Sequence, residues 1–393
     1  MSKDRIAIAR SFRKRRGQSG GAAPLRPADV AQLYHLDALY QQGHYGQGES
    51  IAFVEFALPS ARDDSAFWAT SSLDPKLNRS AAATVMPGAR SASSALDETD
   101  LDLQYAGALA PGAHLHAYVV DASSRLDAFL PALWGAVRAA AADGSHIVSI
   151  SLGAGDLDVG GLGPITDPAT GQRWSDVGSY AQALDRWLTD QGVFCFVSAG
   201  DSGAYAGYPL DTRVQASWPA TQSACIAVGG TQLSVVGDTA SGEQAWGGQT
   251  LDPAAPGYNP SNTLPQASGG GGASSFVPTP GYQSHLGLGL RTTPDVAAFA
   301  GPLEIVDRGS RISIWGTSAS APITAAIAAL YHQATGNWLT HDTLYRAARD
   351  VTHGENTNSQ LLLAGLTAFD AAGPGYDRCT GAGVPDAAYL PGL

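Results

Sequence analysis

The stretch Tyr180–Ala199, YAQALDRWLTDQGVFCFVSA, decides the fold class. Leu184, Trp187 and Leu188 recur at the spacing of one face of an amphipathic helix, and the run Val193–Ala199 that follows is apolar and short, as a buried strand is. A helix that leads directly into a buried strand is typical of a parallel sheet, whose strands are joined by crossover helices. The stretch therefore predicts an α/β fold.

The same alternation continues on both sides of this stretch. Further strands are predicted at Ile51–Phe56, Leu115–Val120, Ile147–Leu152, Ala224–Val228 and Ile312–Trp315, and further helices at Asp127–Asp143 and Ala321–Tyr331. These strands are apolar throughout rather than alternating, which indicates that both faces of the sheet are buried. We expect a mostly parallel central sheet with helices on both faces.

Composition limits the class of protein. The 393 residues are 44% hydrophobic and 15% charged, which suits a globular protein with a sizeable core. The formal net charge of −12 argues against nucleic acid as a partner. No apolar run approaches the roughly 20 residues of a membrane span. Among the three cysteines, Cys195 and Cys225 lie in strand-like runs and are either buried thiols or one bridge.

The first 23 residues differ from the rest. Arg10, Arg13, Lys14, Arg15 and Arg16 make them basic, and no apolar segment of a standard secretory signal follows. We interpret residues 1–23 as a basic, disordered tail and residues 24–393 as one folded unit. The compartment stays open between the cytoplasm and export by a non-standard route.

Gly316–Pro322, GTSASAP, places a serine between a predicted strand and an Ala-rich helix. Gly316 permits a tight turn, and Pro322 is tolerated if it lies in the first turn of the helix. Ser318 would then lie near a helix N-terminus, where backbone N–H groups favour developing negative charge. Ser318 is therefore either a nucleophile or a helix cap.

Glu98–Asp102, ETDLD, holds two carboxylates four residues apart. On a helix Glu98 and Asp102 share one face, and two close carboxyls resist double ionisation. Such a pair can take a proton from a serine and return it to a leaving amine. The alternative is a solvated acidic first turn of a helix.

Gly200–Gly203, GDSG, directly follows the predicted strand Val193–Ala199. An aspartate at the carboxyl end of a strand lies where α/β sheets bind ligands, and a protonated Asp201 could donate a hydrogen bond to an oxyanion. The alternative is a turn residue that bonds to its own backbone. No histidine lies in the setting of a serine peptidase base, and we interpret His114 and His116 as core or surface residues.

The three motifs together resemble the sedolisins, the serine-carboxyl peptidases with a subtilisin-like fold. The family's Gly-Thr-Ser-x-x-x-Pro motif matches Gly316–Pro322, which implies that Ser318 is the nucleophile. Its Glu-x-x-x-Asp motif implies that Glu98 is the base and Asp102 its partner, and its Gly-Asp-Ser-Gly element implies Asp201 as the oxyanion group. The resemblance implies an acidic endopeptidase acting on proteins or peptides. The alternative is a catalytically silent peptide-binding protein of the same fold.

The resemblance also implies residues around the catalytic set. Ser151, Leu152 and Gly153 fall where subtilisin-like enzymes pair the substrate backbone as an added strand. Some sedolisins carry a tryptophan at the position of Leu152, so this chain departs from them there. Glu55 matches a glutamate that extends the family's carboxylate network.

Near the C-terminus the resemblance implies one bound calcium ion. Asp350 and Asp377 would bind it through side chains, and Val351, Gly373 and Gly375 through backbone carbonyls. Such hard oxygen donors suit Ca²⁺. Without the resemblance, this segment is a turn-rich C-terminus.

About two dozen residues precede the match, whereas sedolisins usually carry a long N-terminal prodomain. We expect either folding without a prodomain or a longer precursor. We also expect a monomer.

Overall fold

The computed structural model describes residues 12–14, 23–78, 80–122, 125–167, 170–236, 239–248 and 264–393. For residues 12–14, 234–236 and 239–241 the description is limited to the backbone. No helix in this part of the chain is both long and apolar enough to cross a membrane.

Strands follow one another along the whole chain. They are β1 (Phe12–Lys14), β2 (Ser50–Glu55), β3 (Ala82–Val85), β4 (His114–Val119), β5 (Ile147–Ile150), β6 (Ala154–Gly155), β7 (Ile165–Thr166), β8 (Arg173–Trp174), β9 (Phe194–Ser198), β10 (Ser217–Trp218), β11 (Cys225–Val236), β12 (Thr239–Ala245), β13 (Gly272–Pro278), β14 (Leu290–Thr293), β15 (Val296–Phe299), β16 (Leu303–Asp307) and β17 (Ser310–Trp315).

Helices alternate with these strands. They are α1 (Pro27–Leu33), α2 (Asp37–Gln41), α3 (Ala61–Ser71), α4 (Leu96–Leu109), α5 (Leu126–Ala142), α6 (Asp156–Gly160), α7 (Val177–Gln191), α8 (Thr317–Thr335), α9 (His341–Ala347) and α10 (Ser359–Leu363), with 3-10 turns at Ser93–Ala95 and Gly281–Leu286.

The central sheet has the strand order β12-β11-β9-β5-β2-β4-β3, and β15 pairs with β11. Every pairing in it is parallel except that of β12 with β11. The prediction of a mostly parallel sheet is confirmed. Cys195 and Cys225 lie opposite each other on β9 and β11 and are unbridged, buried thiols.

Both faces of the sheet are covered, as predicted. On β2, Ile51 and Phe53 belong to the hydrophobic cluster that includes α4 and α8, whereas Ala52 and Val54 belong to the cluster that includes α5 and α7. Successive side chains of a strand point to opposite faces. A strand buried on both faces is therefore apolar at every position, which is why the sequence of β2 shows no alternation.

The N-terminal segment contributes one strand. β1 pairs antiparallel with β17, with residues 12, 13 and 14 opposite residues 315, 314 and 313. The tail predicted at residues 1–23 thus includes a strand at residues 12–14, and its residues 1–11 and 15–22 lie outside the described residues. β17 leads directly into α8, so β1 runs beside the strand that ends at the serine motif.

Candidate active site

Ser318 lies at the beginning of α8, directly after the strand β17. Gly316 is the N-cap residue of this helix and has a φ of 155°, a conformation that favours glycine. Ser318 is fully buried, and its Oγ has no hydrogen-bond partner among the described residues. The alternative that Ser318 merely caps the helix is therefore wrong, because its hydroxyl bonds to no backbone N–H of the first turn.

Pro322 has a different role from the expected one. It is the sixth residue of α8 and lies in the second turn, not the first. A proline has no N–H, so the carbonyl of Ser318, four residues earlier, lacks its usual helical donor. The Ser151 hydroxyl takes that place, because its Oγ lies 3.1 Å from the Ser318 carbonyl oxygen. The same Oγ lies 2.7 Å from Asp102 Oδ2.

The carboxylates of the second motif lie on α4, which packs against both α8 and β2. Glu98 is 8% exposed, and Asp102 and Glu55 are fully buried. The alternative of a solvated acidic turn is therefore wrong. Glu55, at the end of β2, joins the carboxylates on α4 into one buried group.

The side chains of Glu55 and Asp102 lie close enough to share a hydrogen bond once one of the two carboxyls is protonated. Thr99 Oγ1 donates to Glu55 Oε2 at 3.0 Å. Burial, followed by the charge of Glu98, raises the pKa of Glu55 to about 8. Burial, followed by the charges of Glu55 and Glu98, raises the pKa of Asp102 well above its usual range. The pair formed by Glu55 and Asp102 therefore holds at least one proton in acid and near neutrality.

Asp201 follows β9 and reaches the residue that precedes the serine. Its Oδ1 accepts hydrogen bonds from the backbone N–H and the hydroxyl of Thr317, each at 2.8 Å. Its Oδ2 has no hydrogen-bond partner among the described residues. Burial raises the pKa of Asp201 to about 7, although both bonds from Thr317 act to lower it. The carboxyl therefore bonds across to the serine motif rather than to its own turn.

The histidines on β4 take no part in this group. His116 Nε2 bonds to Thr84 Oγ1 at 2.8 Å, and its ring stacks on Tyr118. His114, two residues earlier, is exposed. Both match the interpretation as core or surface residues. The titratable side chains that bond to the serine motif are carboxyls, Asp201 through Thr317 and Asp102 through Ser151.

The family model described as the subtilase family matches residues 58–382 of this sequence. The chain belongs to the subtilase family. Its similarity to several curated relatives places this subtilase among the sedolisins. It is 32% identical to kumamolisin of Bacillus sp. (strain MN-32) over 94% of the chain and 63% of that protein. It is 30% identical to sedolisin of Pseudomonas sp. (strain 101) over 75% of the chain and 48% of that protein.

The fold of this subtilase matches a solved sedolisin structure. Pseudomonas sedolisin, described as a serine-carboxyl proteinase in complex with two molecules of pseudo-iodotyrostatin, superposes with a TM-score of 0.70. The match covers 94% of this chain and 97% of that one at 24% sequence identity. The subtilisin-like fold is thereby shown. The chain spans about half to two thirds of the length of the curated relatives named above.

The segment predicted to pair substrate lies directly after β5. In this subtilase Ser151 and Leu152 are buried, and residues 154–155 continue into β6, which pairs with β10. A Cβ on Gly153 would lie 2.5 Å from Ser217 Oγ and 3.1 Å from the Trp218 carbonyl oxygen, so a larger residue there would have to displace the Ser217 hydroxyl. The pairing of Ser151, Leu152 and Gly153 with substrate stays a prediction.

The predicted calcium ligands lie close together. Gly375 N donates to Asp350 Oδ2 at 2.8 Å, and Gly373 N donates to Asp377 Oδ2 at 3.1 Å. Thr380 Oγ1 lies 3.2 Å from the Val351 carbonyl oxygen and 3.1 Å from Asp377 Oδ2. Two carboxylates and a backbone carbonyl, brought together from residues 350–351 and 377, fit a hard cation.

The contacts of several hydroxyl side chains in the site were not predicted from the sequence. Thr317 holds Asp201, and Thr99 holds Glu55, although both lie inside the motifs that were quoted. Ser151 was assigned through its backbone, whereas its hydroxyl makes the contacts described above. The threonines inside the two motifs were the available sequence signal for hydroxyl groups that bond to carboxyls.

Proposed function

We propose that this protein is a serine-carboxyl endopeptidase that hydrolyses peptide bonds of proteins at acidic pH. One observation carries the proposal. A buried serine at a helix N-terminus is linked to two carboxyls with raised pKa values, because Asp201 bonds to Thr317 and the Ser151 hydroxyl contacts both Asp102 and the Ser318 carbonyl. Carboxyls of this kind change protonation between acid and neutral pH, so they tie the chemistry of Ser318 to acid.

The reaction begins with proton transfer from Ser318. Glu98 accepts the Oγ proton, and Oγ attacks the carbonyl carbon of the substrate peptide bond. The hydrogen bond of Asp102 to Glu55 keeps a proton in this group, so that Glu98 is the member left to act as base. Glu98 then gives the proton to the leaving amine, and an acyl-enzyme on Ser318 remains. Water, deprotonated by Glu98, hydrolyses the ester.

The negative charge on the substrate oxygen is stabilised by donors at the start of α8. Asp201 keeps its proton below a pH of about 7, so its Oδ2 can donate to the oxyanion. The Ser318 backbone N–H supplies the second donor. Thr317 fixes the carboxyl through Oδ1, which leaves Oδ2 for the substrate.

We also propose that Asp350, Val351, Gly373, Gly375 and Asp377 bind one calcium ion. The ion would neutralise two carboxylates and order the C-terminal turns, far in sequence from the catalytic motifs. Chelation should lower the thermal unfolding midpoint, and added Ca²⁺ should restore it, because a ligand that binds the folded state alone stabilises it. The Asp377→Asn variant should show no response to Ca²⁺.

The test of the peptidase is cleavage of an unfolded protein from pH 2 to pH 8. We expect wild type to cleave in acid and to lose activity above a pH of about 7, where Asp201 ionises. Ser318→Ala should lower the rate by on the order of 10⁴-fold or more without changing the unfolding midpoint. A wild type that binds peptides but cleaves none at any pH would establish the silent binding protein instead.

A further inference from the structure

Four aspartates outside the catalytic group lie together at one junction. Asp63 and Asp64 belong to α3, Asp100 to α4, and Asp307 is the last residue of β16. Each is buried, with at most 5% of its surface exposed. Asp100 interacts electrostatically with the three others. We refer to these four side chains as the acid cluster.

Asp100 is the member of the acid cluster whose carboxylate lacks hydrogen bonds among the described residues. It is fully buried, and neither of its carboxylate oxygens has a hydrogen-bond partner among the described residues. An ionised carboxylate in such a place is costly, so the group takes up a proton instead. Burial, followed by the charges of Asp64, Asp63 and Asp307, raises the pKa of Asp100 to about 9, against the opposing effect of Arg308.

Asp64 is similarly placed on the neighbouring helix. Burial raises its pKa to about 7, the bond from Gln104 Nε2 at 3.4 Å lowers it, and the charge of Asp63 raises it further. Asp63 itself accepts a hydrogen bond from Gly309 N at 2.9 Å. The cluster thus contains two carboxyls that hold protons in acid.

The positive charge at this junction is small and lies toward solvent. Arg308 bonds both oxygens of Asp307 at 2.8 and 3.0 Å, and its side chain is 45% exposed. Arg62, exposed on α3, lies beside Gly309, the residue that follows Arg308. Across the described residues, no group of three or more acidic, histidine or cysteine side chains has the geometry of a metal site. With so little positive charge nearby, proton uptake by the carboxyls relieves the repulsion within the cluster.

The acid cluster lies between two elements that carry the catalytic residues. Helix α4 bears Glu98 and Asp102, and the β16–β17 hairpin leads to Ser318. Gln104 of α4 also clamps the hairpin, because its side chain bonds Val306 N at 2.9 Å and Val306 O at 2.7 Å. A loss of contact at this junction would therefore move the base relative to the nucleophile.

We propose that the acid cluster is a proton-dependent joint that holds helix α4 against the β16–β17 hairpin while Asp64 and Asp100 are protonated. When the two carboxyls ionise, like charges face one another at the junction and the joint loosens. Asp64 and Asp100 are then positioning residues, which act on the reaction through Glu98 and Asp102. The catalytic consequence rests on the proposed function, whereas the effect on stability does not.

The direction of the pH effect follows from proton counts. In the unfolded chain both aspartates ionise near a pH of about 4. In the folded chain they keep their protons up to a pH of about 7 for Asp64 and about 9 for Asp100. Between these limits the folded state binds more protons, so the free energy of unfolding falls as the pH rises.

The test compares wild type with Asp100→Asn and with Asp64→Asn, in which an amide of the same shape cannot ionise. The thermal unfolding midpoint is measured at pH 4 and at pH 8 at one scan rate. The wild-type midpoint should be lower at pH 8 than at pH 4. This decrease should be smaller in each variant by several degrees, on the order of 5 °C. Asp190→Asn, an exposed position on α7, is the matched control and should follow wild type.

Cleavage of an unfolded protein is measured on the same samples across pH 4 to 8. Asp64 ionises within this range, so Asp64→Asn should lose less activity than wild type between pH 6 and pH 8. Asp100 stays protonated there in the folded chain, so the activity of Asp100→Asn should follow that of wild type. A reduced fall in midpoint supports the joint even if wild type cleaves nothing, in which case only the proposed peptidase fails. If Asp100→Asn does not fold, Asp64→Asn decides. The proposed joint is wrong if the variants that fold lose as much in midpoint between pH 4 and pH 8 as wild type does.

Discussion

Two buried regions of this protein treat carboxyl groups in opposite ways. Asp295, on the segment before β15, is fully buried against the fully buried Arg291, with Nη1–Oδ1 at 2.7 Å and Nη2–Oδ2 at 2.5 Å. Burial favours the neutral form, yet the charge of Arg291 outweighs it and holds the pKa of Asp295 well below its usual range. In the catalytic region Asp102 and Asp201 are equally buried, but they meet carboxyls and neutral donors, and their pKa values rise.

The difference shows that burial alone does not decide whether a carboxyl is ionised. The charge of the neighbouring side chain decides it. An acidic solution leaves the Arg291–Asp295 pair ionised, so it keeps its contribution to the fold. The same solution protonates Asp201, which the proposed mechanism requires. One pH therefore suits both regions.

The largest expected effect comes from breaking the ion pair. Arg291→Met leaves the buried Asp295 without its arginine, although Tyr345 and the Ala227 N–H still donate to it, and should cost about 3–5 kcal/mol of stability at pH 7. Lowering the pH to 4 should recover part of the loss, because burial then raises the pKa of Asp295 and the group takes up a proton. Denaturant midpoints at the two pH values measure this.

The double variant Arg291→Met with Asp295→Asn removes the uncompensated charge and serves as the control. Its stability should change little between pH 4 and pH 7 relative to that of Arg291→Met. An equal loss at both pH values in the single variant would mean that packing, not charge, explains the pair.

The next effect removes the oxyanion carboxyl. Asp201→Ala should lower kcat by about 10²–10³-fold, which is the usual cost of losing one oxyanion donor. Asp201→Asn keeps a neutral donor that cannot ionise, so it should retain more activity than Asp201→Ala. The fall in wild-type activity near pH 7 should also move to higher pH in this variant. Equal activity in Asp201→Ala and wild type would exclude the oxyanion role.

The smallest effect separates the two contacts of Ser151. Ser151→Ala leaves the Ser318 carbonyl without a donor and should cost about 1–3 kcal/mol of stability. Adding Pro322→Ala supplies the missing helical N–H and should restore that stability. It should not restore the catalytic rate, because Asp102 still lacks its hydroxyl partner. Recovery of both stability and rate in the double variant would show that Ser151 acts only on the backbone of α8.

Much of the fold could be predicted because buried parallel strands are visible as apolar runs. The runs at residues 147–150 and 194–198 become β5 and β9, and the helix between them becomes α7. The four proposed catalytic positions come from motifs that are short and lie in a characteristic order. The strand at residues 12–14 was not predicted, because its pairing with β17 depends on residues about 300 positions away.

The partners of the site residues could not be predicted for the same reason. Ser151 meets Asp102 and the Ser318 carbonyl across 49 and 167 positions of sequence. The acid cluster is harder still to predict from the sequence, because Asp64, Asp100 and Asp307 come from three separate elements. No local pattern distinguishes these aspartates from solvated ones such as Asp190.

The sequence by itself determined which chemical groups this protein has and the order in which strands and helices present them. The sheet follows from apolar runs, and the proposed nucleophile, base and oxyanion carboxyl come from three motifs. Only the tertiary structure decided which carboxyls are charged. The pKa of a carboxyl depends on its distance from water and on the charge of its nearest neighbour. For Asp201, Asp100 and Asp295 those neighbours come from other elements of the fold.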